Sequence, residues 1–210
     1  MKHGGIEGGA GWGRADDTDA GGFNSGGFSV TGGLVGGTLG YNWQINRIVL
    51  GLEGDGSAAW LKGSTVGTIP AIGNCGGAPP HCDSRLQALG TFRGRAGVTF
   101  GMFLPYVTGG LGVGALQGHE GDVLANGAVG DGKTTVAGWT FGGGVEAAIS
   151  PNWSAKVEYL HVDLGNHAIF NDIIPAAGNA VLAENVRFTA EIVRGGLNYK
   201  FSWPAPAAMR

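Results

Sequence analysis

Charged residues are scarce in this chain. Only 14% of its 210 residues are Asp, Glu, Lys or Arg, against about 25% in a typical soluble domain. A water-exposed surface normally carries more charge than this, whereas a surface in contact with lipid does not need it. The formal net charge of -3 and the lack of a basic cluster argue against nucleic acid as a partner.

Long apolar runs are also missing. No stretch reaches the roughly 18 uncharged apolar residues that a membrane-spanning helix needs. If the chain crosses a membrane, it must do so as a closed barrel, because lipid cannot satisfy the hydrogen bonds of an open sheet edge. Residues 1–6 carry no apolar signal segment, so we expect that a secretory signal was cleaved or replaced.

Cysteine is nearly absent, with Cys75 and Cys82 as the two examples. They lie seven positions apart in a polar stretch rich in Gly and Pro, which fits a disulfide formed in an oxidising compartment. Closing so short a loop contributes about 2–3 kcal/mol in the chain-entropy model. Two unpaired thiols are the alternative, and a metal site would need two further ligands close by.

Glycine, by contrast, is abundant. The chain contains 44 glycines, about three times the usual share of roughly 7%. Their irregular spacing excludes a collagen helix, and a hydrophobic content of 43% argues against disorder. Strands that crowd a narrow lumen, or that pack backbone closely, are structures that use glycine in this way.

Period-two patterning indicates strands throughout and almost no helix. Each candidate segment is rich in β-branched, aromatic and glycine residues. We predict strands at residues 3–13, 29–41, 47–61, 85–99, 104–116, 134–149, 153–164 and 187–203.

The predicted connections alternate strictly in length. Those at 42–46, 100–103 and 150–152 are short, whereas those at 14–28, 62–84, 117–133 and 165–186 are long and polar. Bacterial outer-membrane barrels have this layout, and a soluble β-sandwich is not expected to sort its loops so. The predicted fold is an all-β, eight-stranded antiparallel up-and-down transmembrane β-barrel over residues 1–203, with short periplasmic turns, four long extracellular loops and a tail at 204–210.

One face of the predicted strands carries the charge. An eight-stranded barrel leaves an interior just wide enough for side chains, so paired ions would plug it, with glycines making room for them. A narrow ion-conducting channel is the alternative, and a soluble periplasmic barrel with its apolar face inward is a further one. The lumen charges are predicted to be Glu53, Asp55, Arg93, Arg95, Glu146, Lys156, Glu158, Arg194 and Lys200.

Aromatic residues cluster at the strand ends. Two aromatic belts on either side of an apolar band are the anchors expected at the two membrane interfaces, and a soluble core does not need them. The candidates near the short turns are Tyr41, Trp43, Phe100, Phe103, Trp153, Phe201 and Trp203, and those near the long loops are Trp12, Trp60 and Trp139.

Seven motifs along the chain resemble one family, the small outer-membrane β-barrel proteins typified by the immunogenic surface proteins of alphaproteobacteria. The resemblance implies an OmpA-like barrel without a peptidoglycan-binding domain, in a structural, surface-antigen or porin-like role. Some members are linked to haem binding or host contact. Because the chain continues past the usual terminal aromatic, either Phe201 or Trp203 closes the last strand. The motifs are 40–44 (GYNWQ), 49–55 (VLGLEGD), 93–97 (RGRAG), 105–112 (PYVTGGLG), 139–146 (WTFGGGVE), 156–160 (KVEYL) and 193–201 (VRGGLNYKF).

The sequence predicts no catalytic, nucleotide or metal site. Gly110 and Gly112 begin a match to the dinucleotide fingerprint, but no helical pattern follows them. His161, Asp163 and His167 have metal-binding side chains, and we interpret them as solvated loop residues. No nucleophile elbow is present.

We therefore expect an integral outer-membrane protein with a structural or surface role and a lumen filled by salt bridges. A small porin and a loop-mediated binding module are the alternatives. The expected partners are outer-membrane lipid and lipopolysaccharide, with other envelope proteins left open and nucleic acid excluded. We expect no cofactor and no enzymatic activity.

Overall fold

The computed structural model describes the backbone of residues 1–19, 28–66, 81–120, 130–174 and 180–201, and the side chains of 1–14, 29–63, 85–117, 134–166 and 187–201. Each strand pairs antiparallel with its neighbours in sequence, and β1 pairs with β8 to close the barrel. The predicted eight-stranded antiparallel barrel is confirmed. The strands are β1 (Lys2–Asp19), β2 (Phe28–Ile45), β3 (Ile48–Val66), β4 (His81–Val98), β5 (Phe103–Glu120), β6 (Gly130–Ala148), β7 (Trp153–Ile174) and β8 (Ala180–Phe201).

The described residues contain no helix that is both long and apolar enough to cross a membrane.

The strands are longer than the sequence patterning predicted. β1 continues to Asp19, β7 continues to Ile174 and β8 begins at Ala180, so much of the four predicted long loops is strand. Backbone pairing does not require apolar side chains, and the ladder therefore continues beyond the apolar band. Residues 20–27, 67–80, 121–129 and 175–179, which complete these connections, lie outside the described part of the chain.

The opposite end of the barrel consists of the short turns, the start of β1 and the end of β8. Ile45 pairs with Ile48 around a two-residue turn, and Asn46 there has a φ of 55°, as expected for a tight hairpin turn. Lys2 pairs with Phe201, which places the start of β1 and the end of β8 at this same end.

The two faces of the barrel wall have opposite character in its short-turn half. Apolar side chains point outward, with Ile6 69% and Leu39 70% exposed. Charged side chains point inward, with Arg93 wholly buried. The alternative of a soluble barrel with its apolar face inward is wrong for this half.

A register shift between Leu86 and Ala88 changes the facing of β4. Gln87 and Ala88 are both exposed, whereas Leu86 and Leu89 are buried. A β-bulge inserts an extra residue into one strand, so the alternation slips by one position. The bulge therefore directs Leu86 into the lumen and Gln87 to the outer surface.

Candidate functional site in the barrel lumen

The lumen near the short turns is filled by ionisable side chains. Strand alternation points them all to the axis, where they are buried and must satisfy one another. They are His3, Glu7, Glu53, Asp55, Arg93, Arg95, Glu146, Lys156, Glu158 and Arg194.

Glu53 is a centre of this network. Its Oε1 lies 2.9 Å from Nη2 of Arg93 and 3.0 Å from Nζ of Lys156. Its Oε2 lies 3.4 Å from Nη1 of Arg95 and 3.4 Å from Nε2 of His3. One carboxylate on β3 thus joins cations from β4 and β7 with an imidazole from β1.

Arg93 joins the same centre to two further carboxylates. Its Nη2 lies 2.8 Å from Oδ2 of Asp55, and its Nη1 lies 3.0 Å from Oε1 of Glu158. Its Nε donates to Oγ1 of Thr91 at 2.7 Å, and that hydroxyl donates to Asp55 at 2.5 Å. Glu53 and Asp55, two residues apart on one face, are both bound by Arg93, which leaves neither free for acid–base chemistry.

Arg194 occupies the seam where β8 meets β1. It bonds Glu158 on β7 at 2.6 Å, Asp55 on β3 at 3.0 Å and also Glu7 on β1. Lys156 reaches the same Glu7 at 3.1 Å. These ion pairs cross the lumen between strands that are distant in sequence.

The short-turn edge of the network is held by hydrogen bonds as well as by charge. Arg95 lies 2.9 Å from Glu146, which also accepts a bond from Oγ of Ser154 at 2.5 Å. The Arg95 guanidinium stacks 4.0 Å from the centre of the Tyr106 ring. The Tyr106 hydroxyl donates to Glu158 at 3.0 Å.

Glycines on the inward face leave space for these long side chains. A Cβ on Gly51 would clash with Oδ1 of Asn42 and lie 3.0 Å from Cγ of Arg95. A Cβ on Gly196 would lie 2.9 Å from the backbone oxygen of Ile6 and 3.3 Å from Cε of Lys156. Contacts this short force neighbouring atoms to move. These inward-facing glycines therefore serve the packing of the lumen.

The structure brings eight of the nine predicted lumen charges together and adds residues that the sequence reasoning missed. Lys200 is only half-buried at the short-turn mouth, and among the described residues no ion pair joins it to the network. Glu7 and His3 do take part. Both lie at odd positions of β1. Strict alternation, continued through the glycines around Glu7, would have predicted that both side chains face the lumen.

The outer half of the lumen is apolar, which the sequence reasoning did not predict. Leu61 lies on the same face of β3 as Glu53, so the face that is charged near the short turns becomes apolar toward the other end. Following the alternation beyond Asp55 would have given this signal. The apolar plug, as we name it, consists of Val30, Leu34, Ala59, Leu61, Leu86, Leu89, Leu116, Val136, Leu160, Val162, Leu164, Phe188, Ala190 and Ile192.

A cavity of about 270 Å³ opens at the short-turn mouth. Its lining includes His3, Glu146, Ser154 and Lys200. The first three are buried, so the cavity borders the ion-pair network.

The predicted interface aromatics within the described part of the chain project outward, each between 36% and 60% exposed. Trp12 and Trp139 lie near the middle of β1 and β6, so their predicted position at the strand ends is wrong, because the strands continue into the predicted loops. At the short-turn end Tyr41 and Trp43 meet edge to face at 4.5 Å between ring centres, and Trp153 and Tyr199 at 5.1 Å. β8 ends at Phe201 as described, and Trp203 lies outside the described residues. The described set is Trp12, Tyr41, Trp43, Trp60, Phe100, Phe103, Trp139, Trp153 and Phe201.

The remaining candidates lie in strands and not in loops. His161 on β7 is half-buried, with its Nδ1 2.7 Å from Oε1 of Glu191. Asp163 is buried and accepts bonds from the backbone N–H of Gly165 at 2.8 Å and from Arg187 at 3.0 Å. The interpretation of these two as solvated loop residues is therefore wrong. The side chain of His167 lies outside the described part.

Neither a metal cluster nor a nucleotide loop is seen in the described ranges. No three His, Cys, Asp or Glu side chains come together there in a way that could hold a metal ion. Gly110 and Gly112 lie within β5, which continues as strand to Glu120. Cys75 lies outside the described residues, as does the side chain of Cys82, so the disulfide stays a prediction.

Comparison with known proteins links this architecture to one family. A family model described as outer membrane protein beta-barrel domain matches residues 2–201. The 31 kDa outer-membrane immunogenic protein of Brucella melitensis is 40% identical over 187 residues, covering 84% of this chain and 70% of the Brucella protein. The 25 kDa outer-membrane immunogenic protein of Brucella canis is 29% identical over 167 residues, covering 80% and 65%.

Comparison of structures agrees on the fold. The outer membrane protein OprG from Pseudomonas aeruginosa aligns with a TM-score of 0.56 and 14% sequence identity, covering 96% of each chain. At this identity the likeness concerns the barrel architecture alone.

Proposed function

This chain belongs to the outer membrane protein beta-barrel domain family, and on that premise we propose that it is a closed structural barrel that does not conduct ions. It is an outer-membrane protein, and its relatives are named as immunogenic proteins of that membrane. In this role the barrel spans the membrane, seals its own lumen and holds its outer strands at the cell surface.

The close packing of side chains in the lumen is the observation that supports the proposal. Arg93, Lys156 and Arg194 are each no more than 2% exposed and are surrounded by carboxylates. Beyond them the apolar plug includes Leu61, Leu160 and Leu164, which have no exposed surface. An ion passing through would have to displace buried ion pairs and then enter an apolar layer, both of which are strongly unfavourable. The small-porin alternative is disfavoured on this ground.

The surface role rests on the outer strand extensions. β1, β7 and β8 continue well past the outer aromatic Trp12 and Trp139 toward the connecting segments. Backbone that has left the apolar band lies where the exterior can reach it. The Brucella relatives are named as immunogenic outer-membrane proteins, which fits a role at the cell surface. Recognition through the connecting segments stays a prediction, because they lie outside the described residues.

We also propose that the protein has no catalytic role. Glu53, Asp55 and Glu158 are all engaged by arginine or lysine in the lumen, so none is available as a general base. The immunogenic relatives are not named as enzymes.

The direct test is single-channel recording in planar bilayers. The wild-type protein is refolded in detergent, shown to be β-rich by circular dichroism, and inserted beside a general porin that proves the assay detects pores. We expect no steady current from inserted protein, with insertion verified by recovery from the membrane and heat-modifiable migration on a gel. Reproducible openings of uniform size would overturn the closed-barrel proposal in favour of a small porin.

A further inference from the structure

A polar row crosses the outer surface of four neighbouring strands, just beyond the apolar band. Thr31 pairs with Lys62, Lys62 pairs with Arg85, and Arg85 pairs with Gln117 along the backbone ladder. The first three side chains are exposed and the fourth is half-buried. We name these four residues the outer cationic row.

The row faces away from the lumen. Lys62 lies two residues beyond Trp60 on the outward face of β3, and Trp60 is 53% exposed. Leu86 is buried in the lumen. Adjacent side chains of a strand point to opposite faces, so Arg85 faces outward. The β4 bulge also brings Gln87 outward, where its Nε2 donates to Oε1 of Gln117. This bond uses the oxygen of Gln117 and leaves its amide nitrogen as a further outward donor.

Two cations of this row stand directly opposite each other. Lys62 and Arg85 are cross-strand partners, and like charges in that position destabilise a sheet. Within residues 29–63 and 85–117 the acidic side chains are Glu53 and Asp55, both of which are buried in the lumen. Neither Lys62 nor Arg85 forms an ion pair with a described side chain. An external anion is the simplest way to relieve this repulsion.

The row lies where a membrane presents such an anion. Toward the short turns, the outward wall below it is apolar, with Val35 52%, Phe92 58% and Val113 43% exposed. Acyl chains that cover this wall end at the level where the polar side chains begin. The headgroup of a lipid lying against Val35, Phe92 and Val113 therefore reaches Lys62 and Arg85.

We propose that the outer cationic row binds the phosphorylated headgroup of a lipid in the outer leaflet. The Arg85 guanidinium suits two phosphate oxygens at once, and the Lys62 ammonium adds a compact second charge. Thr31 and Gln117 supply neutral donors beside them. A soluble phosphate would gain only these polar contacts, whereas a phosphorylated lipid also covers Trp60 and the apolar wall, so the site favours the lipid. This site is independent of whether the lumen conducts.

The test measures binding of bisphosphorylated lipid A to the full-length refolded protein in non-ionic detergent micelles, by native mass spectrometry. The variant K62Q/R85Q removes both charges and keeps polar side chains. Since each cation near a lipid surface contributes about 1 kcal/mol, we expect binding to weaken about 30-fold. Dephosphorylated lipid A should bind the wild type as weakly as the phosphorylated form binds the variant.

The matched control is K2Q/R47Q, which removes two exposed cations at the short-turn end of the barrel. It should leave lipid A binding unchanged. Heat-modifiable migration shows that each variant is folded, and the single variants K62Q and R85Q serve if the double variant does not fold.

Three results would overturn the proposal. The first is binding of lipid A by K62Q/R85Q as tight as by the wild type, and the second is a loss of affinity in the control pair as large as in the row variant. The third is complete displacement of the lipid by a large excess of inorganic phosphate, which would show a general anion site and not a lipid site. In the supported case, phosphate does not displace lipid A and added salt weakens its binding, because exposed charge contacts are screened.

Discussion

Nη2 of Arg194 on β8 lies 2.6 Å from Oε2 of Glu158 on the neighbouring strand β7. The same guanidinium continues across the lumen to Asp55 on β3 at 3.0 Å and to Glu7 on β1. One side chain therefore ties together both sides of the seam where β1 and β8 close the barrel. This residue is the most sensitive point at which to test the ion-pair network.

Replacing Arg194 by methionine should destabilise the barrel. The change leaves Glu7, Asp55 and Glu158 without a cation that they share, and breaking a buried ion pair costs about 3–5 kcal/mol. The free energy of unfolding is measured by urea titration in lipid vesicles, followed by tryptophan fluorescence.

The matched control for R194M is R47M in the exposed turn after β2, where we expect a change within about 0.5 kcal/mol. Adding E158Q to R194M should cost less than adding it to the wild type, since the carboxylate has already lost its partner. Equal stability of R194M and the wild type would show that the network does not hold the seam together.

Two glycines of β3 should respond in opposite ways to alanine. A methyl group on Gly51 would clash with Oδ1 of Asn42 and lie 3.0 Å from Cγ of Arg95, whereas a methyl group on Gly56 meets no atom within 4 Å. We expect G51A to lose about 1–3 kcal/mol through overpacking of the lumen. We expect G56A to be neutral or slightly stabilising, because alanine restricts the unfolded chain more than glycine does.

The two predicted effects are checked by comparing the unfolding midpoints of G51A, G56A and the wild type under identical conditions. If G56A is destabilised as much as G51A, the losses come from the strand backbone and not from the lumen.

The apolar plug should contribute to stability without being the only seal. Leu164 is fully buried there, and truncation of such a side chain to alanine costs about 2–5 kcal/mol through the cavity that it leaves. Leu39, which is 70% exposed on the outer wall, should lose much less in L39A because lipid fills the space.

Planar-bilayer recording of L164A tests whether the apolar plug is needed to block ion conduction. We expect no current, because the ion pairs around Glu53 still close the lumen. Conduction by L164A alone would assign the seal to the apolar plug.

The tryptophans should report two interfaces. Trp43 and Trp153 lie near the short turns, whereas Trp12, Trp60 and Trp139 lie farther from those turns and well before the outer ends of their strands. In variants that keep one tryptophan each, lipids that carry a quencher near the headgroup should quench more than lipids that carry it at the bilayer centre. A water-soluble quencher added to one side of oriented vesicles should separate the two groups. Strong quenching from the bilayer centre would contradict the belt assignment.

Cys75 and Cys82 should form a disulfide. Alkylation of the denatured protein should label neither thiol before reduction and both afterwards. In the C75S/C82S variant we expect a loss of about 2–3 kcal/mol, as the chain-entropy model gives for a short loop. Labelling without reduction would establish two free thiols.

Much of the fold could be predicted because the strands and the facing of their side chains follow from the order of polar and apolar residues a few positions apart. Alternation in β3 separates Leu50 and Leu52, which face outward, from Glu53 and Asp55, which face inward. The period of a strand is two, so the facing of one residue determines that of its neighbours. The family resemblance drawn from the motifs was confirmed for the same reason, since those motifs repeat the alternation in order.

The predicted loop boundaries were wrong where the order of polar and apolar residues did not indicate that the strand continues. Polar residues such as those near Asp19 and Ile174 read as loop, yet the backbone ladder continues through them. The facing of Gln87 likewise depends on the β4 bulge, and a bulge is created by pairing with neighbouring strands.

The sequence by itself determined the number of strands and their alternation, because these depend on side chains a few positions apart. Only the tertiary structure decided which charges meet. Lys156 and Glu53 are 103 positions apart, and their contact at 3.0 Å exists only because the sheet closes. Closure of the barrel also brings Glu7 into the ion-pair network and places Lys200 at the short-turn mouth. It packs the leucines of the apolar plug against one another. The physical reason is that a barrel interior brings together residues from every strand, and its limited width selects the side chains that can share it.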